Sequence, residues 1–396
     1  MSTTDEAPLR TKAAKAPSPN GTDGQARPLK PPIRPRGSLV SALDIGTTKI
    51  CCFIARVEDD RPRVLGIGHQ ISRGVRNGKI IDLEAASASV LNAVHAAEEM
   101  AGETIQQVVA NLSGGFSVDD SRGIRDPRGM LGERLGVNMH VVTASAASVR
   151  NHTSAVGRSH LEVDALVVSP YASGLSCLVE DEIGLGVTVI DMGGGATTIG
   201  VFFDGNLIFA DYVPVGGGHV TNDIARGLST SIADAERMKT LFGSAISSST
   251  DEREMIAVPQ IGEEDDGHVN HVPKSLLVGI VAPRIEETFE LVRNRLEASG
   301  FDKIAGRRVV LTGGACQLHG AREFAGLILD KQVRIGRPQR VTGLAEATGG
   351  PAFATTAGLL HFALSERAEV SGARRSAEDA RRGVLGRLGH WLKENF

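Results

Sequence analysis

The chain has 396 residues, of which 41% are hydrophobic, 4% aromatic and 23% charged, and its formal net charge is −4. That length supports two or three domains around a sizeable core, and so even a charge balance gives no global basic field for nucleic acid, which is not an expected partner. No apolar run is long enough to span a bilayer, no signal-peptide core opens the chain, and Cys51, Cys52, Cys177 and Cys316 lack metal-ligand spacing, so a soluble body with reduced, buried thiols is expected.

Met1 to Gly37 is rich in proline and small residues and carries seven Lys/Arg against Asp5, Glu6 and Asp23. It reads as a disordered tail, at most in weak contact with anionic lipid. Leu39 to Ala55 is an apolar run, then Asp44, Gly46, Thr47, Thr48 and Lys49, then a second apolar run holding adjacent Cys51 and Cys52 on opposite faces. An acidic break at Glu58 to Asp60 leads to a third short strand, Val64 to Ile67. Asp82 is a helix N-cap for the segment to Ala101, with apolar spacing at Ala86, Val90, Val94 and Ala97. Val108 to Leu112 reads as a strand ending in Ser113-Gly114-Gly115, and Phe116 to Leu135 is rich in charge and glycine, too short to bury a core. Val137 to Val142 and Val163 to Val168 are expected as strands flanking a helix from Ala144, the second half of a βαβ crossover.

Val187 to Val201 repeats the first unit: an apolar strand, Asp191, the turn Gly193, Gly194, Gly195, Ala196 and Thr197, and a second strand, followed by Asp204-Gly205-Asn206 and Leu207 to Ala210. The glycines are expected to adopt backbone angles that side chains forbid, aiming N–H groups at an anion. Asp191 would repel phosphate unless a cation lay between them, so the pattern implies a nucleotide with magnesium. A plain hairpin turn fits this stretch alone equally well, and the second copy decides for two turns clamping one nucleotide. Helices are expected at His219 to Gly227 and Ile232 to Leu241, with Glu236 and Lys239 on one face of the latter, where a solvated pair is the default reading. Ser244 to Lys274, with His268 and His271, reads as a mobile acidic loop, and Ser275 to Ala298 as two helices joined at Pro283. Arg308 to Gly320 gives a third glycine turn, with Gly313, Gly314 and Ala315 admitting a flat ring or ribose close to backbone. A short apolar helix, Ala357 to Phe362, precedes a polar linker, Ser365 to Ala380.

Arg381 to Phe396 is basic and amphipathic. Val384, Leu385, Leu388, Trp391, Leu392 and Phe396 share one arc of a helical wheel, flanked by Arg387 and Lys393. A terminal helix packed on the body competes with an interfacial helix at anionic lipid of the inner leaflet, which fits a basic stripe with Trp better. Gly386 and Gly389 each cost about 1 kcal/mol of helix propensity, so one tail binds weakly and several held together bind through avidity.

With two phosphate turns followed by a third glycine turn, the order resembles the actin-like ATPase superfamily. SALDIGTTK, VIDMGGGATTIGVF, HVTNDIARGLSTSIADAERMK, VVLTGGACQLHG and VRIGRPQ, together with the basic amphipathic C-terminus, are similar as a set to the FtsA family of bacterial cell-division proteins over roughly residues 38 to 396. The resemblance implies a two-lobed α/β fold of duplicated ribonuclease-H-like domains. The first lobe would span 38–115 and 137–186 around an inserted subdomain at 116–136, and the second 187–364, with an FtsZ-binding part at about 215–305. It further implies ATP, with Asp44 and Asp191 holding magnesium through water, Gly46 to Lys49 and Gly193 to Thr197 on phosphates, Lys49 reaching phosphate, Gly313 to Ala315 on adenosine, and Glu236 and Lys239 on ribose and adenine. Implied partners are the FtsZ C-terminal tail, further copies of the chain, inner-membrane lipid on its cytoplasmic side and later division proteins, with Arg284, Arg293 and Arg295 as candidates for the acidic part of the FtsZ peptide.

The chain departs from the family at the insert, where by comparison about fifty residues are absent. The insert is therefore expected to be vestigial, impairing self-assembly and recruitment. Polymerising superfamily relatives carry an acidic residue before the proline of SPYASG; here Ser169 stands there, a poor base, so hydrolysis is expected to be slow and the protein at most a weak ATPase, primarily a nucleotide-binding adaptor. A small-molecule kinase on the same fold is the competing reading, though no catalytic base or substrate insert is recognisable.

Overall fold

The computed structural model describes residues 39–364, except 59–60, 77–78, 106, 109–113, 119–120, 125–134, 141, 143 and 262–269. The expected N-terminal tail, the linker, the amphipathic segment 381–396 and His268 lie outside the described residues.

Two lobes repeat one plan. In the first, Leu39–Ile45, Lys49–Glu58 and Arg61–Ile71 form an antiparallel meander, and the parallel pair Gln107–Val108 and Glu162–Val163 follows, with Gln107–Val108 alongside Leu39–Ile45. In the second, Val187–Met192, Thr197–Phe203 and Asn206–Val213 form the meander, and Arg308–Thr312 and Gln332–Ile335 extend it in parallel. Each lobe thus carries a meander whose first strand faces two strands reached through helices, the duplicated ribonuclease-H-like order.

Burial explains the composition of these strands. Val187–Met192 is central and buried on both faces, as its continuous apolar run requires. Cys51 and Cys52 do point to opposite faces. Cys51 packs with Val40, Phe53, Leu360 and Phe362, and Cys52 with Val90 and Val94 of the helix Leu83–Ala101. Asp82 caps that helix, accepting from Glu84 N at 3.0 Å and Ala85 N at 3.1 Å. All four thiols are free and buried. The closing helix covers 354–364, longer than the expected Ala357 to Phe362, and crosses the helix Ser169–Cys177 at backbone distance: a Cβ on Gly358 would lie 1.7 Å from Ala172 O.

Several expectations are corrected. Ser275 to Ala298 is not a helix pair but part of one helix, Lys274–Ser299, with Pro283 inside it. The proline ring strains the residue four earlier, and that residue is Gly279, with open space where a Cβ would stand. Buried Val278, Val281, Ile285, Phe289, Val292 and Leu296 run through the proline without a break and hold the helix together.

Ser244 to Lys274 is not all loop: Met255–Val258 and Asn270–Pro273 pair as an antiparallel hairpin, with Ile256 and Val258 turned inward and His271 on the second strand. The acidic run between the strands masks their alternation in the sequence. Val137 to Val142 does not enter a crossover. Leu135–Met139 pairs antiparallel with Gly114–Val118, which also pairs with Ser121–Ile124, so the segment expected to be a coreless remnant contains a three-stranded sheet. Of Val163 to Val168 only Val163 joins a ladder; the crossover runs from Gln107–Val108 through the helix Ala146–Gly157 to Glu162–Val163.

Candidate functional site

Each meander turns at a carboxylate. Asp44 is next to last in its strand and pairs with Cys51; Asp191 is next to last in its own and pairs with Thr198. Two residues on, Gly46 N–H donates to Lys49 O at 3.0 Å, and Gly193 N–H donates to Ala196 O at 2.9 Å. The repeat read in the sequence is therefore a repeat of geometry, with the same hydrogen bond at the same spacing.

The two turns face one another. A Cβ on Gly194 would lie 2.1 Å from Thr48 Oγ1, and one on Gly195 would lie 2.4 Å from Thr47 Oγ1. None of Gly193, Gly194 and Gly195 has φ in the left-handed region, which corrects the expectation that backbone angle selects them. Gly194 and Gly195 are glycine because Thr48 and Thr47 of the opposite lobe fill the space of a side chain, while a Cβ on Gly193 would lie 2.9 Å from Ala196 O of its own turn. Gly313 does need its freedom: its φ is 87°, and a Cβ there would press on Asp191 Oδ1 at 2.4 Å.

The helix Gly217–Leu228 begins under the second turn. Gly217 N–H donates to Gly193 O at 3.0 Å and Gly218 N–H to Gly194 O at 2.7 Å, tying the turn's carbonyls back to the helix. Ala315 of the third turn meets Gly217, where a Cβ would be 2.9 Å away. The result is a cleft of about 770 Å³, lined by all three turns and sized for a nucleotide.

The electrostatics of the cleft floor are unbalanced. Asp191 is buried and accepts from Ser173 Oγ at 2.5 Å and Thr355 Oγ1 at 2.9 Å; burial holds its pKa above the ordinary carboxylate value despite those bonds and the pull of Lys49. Asp44 is pushed up to about 6, by burial first, with the charge of Asp191 adding and Lys49 opposing. Burial lowers the pKa of Lys49, whose Nζ donates to Ala352 O and stands 3.5 Å from the centroid of the Phe353 ring.

Two carboxylates whose negative charge is undercompensated suit a hydrated dication, and magnesium fits them. Asp44 and Asp191 would hold it through water, and it would supply positive charge to phosphate oxygens. Two carboxylates are too few for an all-protein cage, so water and phosphate would complete the shell.

Glu236 and Lys239 do pair on one helix face, with the Glu236 side chain 49% and the Lys239 side chain 16% exposed, and the pair is also tied to the neighbouring helix. Lys239 Nζ donates to Glu236 Oε2 at 2.7 Å, Thr221 Oγ1 at 2.9 Å and Gly217 O at 3.1 Å, while Thr221 Oγ1 donates to Glu236 Oε2 at 2.5 Å. Both residues line the cleft beside Gly313, Gly314 and Ala315. The three arginines lie elsewhere, each engaged within the chain. Arg284 pairs bidentately with Asp223, Nε to Oδ2 at 2.5 Å and Nη2 to Oδ1 at 3.1 Å, and also reaches Glu287. Arg293 donates to Ile328 O at 3.3 Å, and Arg295 lies 3.4 Å from Asp211.

Ser173, Thr221, Phe353 and Thr355 join the site although none of them is an expected site residue. The small-residue run Ala172-Ser173-Gly174 behind Pro170 carried a signal, since a helix so narrow must pass close to another chain segment. Thr221 lies in the same segment as its partners Glu236 and Lys239, and Thr355 carried no signal, because what selects it is Asp191, far away in the chain.

A family model described as cell division protein FtsA matches residues 188–358, and one described as the SHS2 domain inserted in FtsA matches residues 70–143. The cell division protein FtsA of Rhizobium meliloti (strain 1021) is 45% identical over 434 residues, covering 93% of this chain and 97% of that protein. That alignment is longer than the 396-residue chain, so the relative carries residues with no counterpart here. The cell division protein FtsA of Escherichia coli (strain K12) is 31% identical, covering 90% of this chain and 96% of that protein. Among solved structures, MreB5 of Spiroplasma citri bound to ADP matches at a TM-score of 0.58 and 14% identity, covering 85% of this chain and 99% of that one. A PilM-PilN type IV pilus biogenesis complex chain matches at 0.59 and 16%, covering 82% and 98%. At those identities the two structures speak for the fold alone.

Proposed function

Because the chain belongs to the FtsA family of cell-division proteins, we propose that it binds ATP with magnesium between its lobes and links the FtsZ ring to the cytoplasmic face of the inner membrane. The observation that carries the nucleotide part is the opposition of the turns at Gly46 to Lys49 and Gly193 to Thr197 over Asp44 and Asp191. The solved relative bound to ADP supports it through the shared fold. The small-molecule kinase reading gives way to the family membership.

Among the described residues no helix is long and apolar enough to cross a membrane. The attachment we propose is peripheral, through residues 381–396. Each large apolar group there offers about 1.5–3 kcal/mol if fully buried, and each basic group near anionic lipid roughly 1 kcal/mol. Against the ordering cost of a glycine-containing helix, one tail is weak and an assembly of tails is firm. Self-assembly therefore sets membrane residence, and the shortened insert lowers it; grafting a full-length insert restores assembly, and an unchanged assembly signal would count against that statement.

Two measurements test the reading. Calorimetric titration with ATP and magnesium is expected to give one site per chain, abolished by Asp191→Ala in a protein that still folds. Sedimentation with vesicles is expected to bring the protein down with anionic but not zwitterionic lipid. A wild-type chain with no affinity for nucleotide, or equal binding to both lipids, refutes the corresponding half.

A further inference from the structure

The helix Ala146–Gly157 brings His152 to the cleft wall that also holds Ser169 and the first turn, and no motif predicted it there. Its place follows from the packing of its own helix. Ala155, three residues on, is buried in a cluster with Val75 and Ile80 against Ile45, the residue between Asp44 and Gly46. Residues three apart share a helix face, and side chains lean toward the helix N-terminus, so His152 stands beside the turn that Ile45 enters.

The ring's tautomer is fixed by its neighbour. Nδ1 lies 2.8 Å from Ser148 O, and a carbonyl oxygen only accepts, so Nδ1 carries the hydrogen. In the neutral ring Nε2 is then left with a lone pair, the form that accepts a proton.

The other titratable groups on the cleft wall are already committed. Asp44 and Asp191 form the cation site, Lys49 and Lys239 are donors, and Glu236 is held by Lys239 and Thr221 on the adenosine side. His319 bonds Ser244 Oγ at 3.0 Å beyond the third turn. The Ser169 hydroxyl is a poor base.

We propose that His152 orients the water that attacks the terminal phosphate of a bound nucleoside triphosphate and takes its proton. The inference rests on the nucleotide reading above. The water oxygen bonds to the terminal phosphorus as the bond from that phosphorus to the bridging oxygen breaks. The electron pair of the broken bond leaves with the nucleoside diphosphate, the water's proton passes to Nε2, and solvent later removes it.

The test uses the full chain and compares wild type, His152→Ala, His152→Gln and the double variant His152→Ala/Ser169→Glu. Phosphate release in a single turnover with ATP and magnesium is measured beside the affinity for a fluorescent ATP analogue. His152→Ala is expected to slow release about tenfold or more with affinity within about twofold of wild type. His152→Gln, which can orient water but not deprotonate it, is expected to fall between the two, and Ser169→Glu to restore part of the rate lost in His152→Ala. An independent readout is carbethoxylation of His152 by diethyl pyrocarbonate, followed by mass spectrometry; a non-hydrolysable ATP analogue is expected to slow it more than ADP does. Release unchanged in His152→Ala overturns the inference, as does nucleotide binding without release in wild type, or modification indifferent to the terminal phosphate. A wild-type chain that binds no nucleotide removes the underlying reading as well, which the affinity measurement reports separately.

Discussion

Thr48 fills the space in front of Gly194: a Cβ on that glycine would stand 2.1 Å from Thr48 Oγ1 and 3.0 Å from Thr48 Cβ. The clamp is therefore closed by side chains of one lobe against bare backbone of the other. Gly194→Ala is expected to force the turns apart and lower ATP affinity about tenfold or more, since phosphate contacts from both lobes depend on their separation. Thr48→Ala/Gly194→Ala relieves the nearer contact and is expected to be more stable than Gly194→Ala alone. A double-mutant cycle in thermal unfolding measures the coupling, and strict additivity would contradict direct contact.

Asp44 costs the nucleotide-free protein stability. Its folded pKa of about 6 lies above the ordinary 3.8, so the stability it contributes is present below the lower value and lost as pH rises through the higher one. Asp44→Asn is expected to raise the unfolding temperature at pH 7.5 in the presence of a chelator, by an amount corresponding to about 1–3 kcal/mol, and to leave it unchanged near pH 3. The same variant is expected to lose the stabilisation that ATP and magnesium give wild type. A variant less stable than wild type in chelator would refute the electrostatic account.

Glu182 works in the opposite direction. It is buried in the helix Glu180–Leu185, just before the second lobe, and accepts from Arg334 Nε at 2.8 Å and Nη2 at 2.5 Å, from Val179 N at 3.2 Å, and pairs with Arg308 at 3.5 Å. Burial alone would raise its pKa, but these partners hold it below the usual carboxylate range. Its contribution is therefore present above the unfolded value of 4.5 and lost as pH falls through the folded one. Glu182→Gln leaves Arg334 without its counter-charge and is expected to destabilise by about 3 kcal/mol at pH 7, with the difference shrinking toward pH 3. Denaturant unfolding at the two pH values checks it.

Hydrolysis is expected to be slow, with steady-state turnover below about 1 per second, because beside the first turn the cleft wall offers the Ser169 hydroxyl and the His152 imidazole, while Glu236 is held by Lys239 and Thr221 and His319 bonds Ser244. A faster turnover in purified protein would overturn the view of nucleotide as mainly a conformational ligand.

The parts of the fold that the sequence made legible are those set by short-range rules. Asp44 and Asp191, each two residues before a glycine at a strand end, announced both turns, and Asp82 announced a helix it does cap. What stayed hidden depends on partners distant in the chain. The triple glycine suggests a need for conformational freedom, yet the cause at Gly194 and Gly195 is Thr48 and Thr47 in the other lobe. Pro283 by local rules predicts a break, although the buried stripe packed against other elements, with Gly279 four residues before the proline, carries the helix through. Glu236 and Lys239 are the surface pair that their spacing predicts, and only the packing of the helix Gly217–Leu228 shows that Thr221 bonds both.

The central claim is that this chain joins FtsZ to lipid through residues 381–396 when its cleft holds nucleotide. The most direct measurement is recruitment of purified FtsZ to anionic liposomes by the full chain with ATP and magnesium, beside a version ending at Ala380. The account predicts recruitment by the full chain and its loss on truncation. FtsZ left in solution by a full chain that binds nucleotide, or recruited equally by the truncated one, would contradict it.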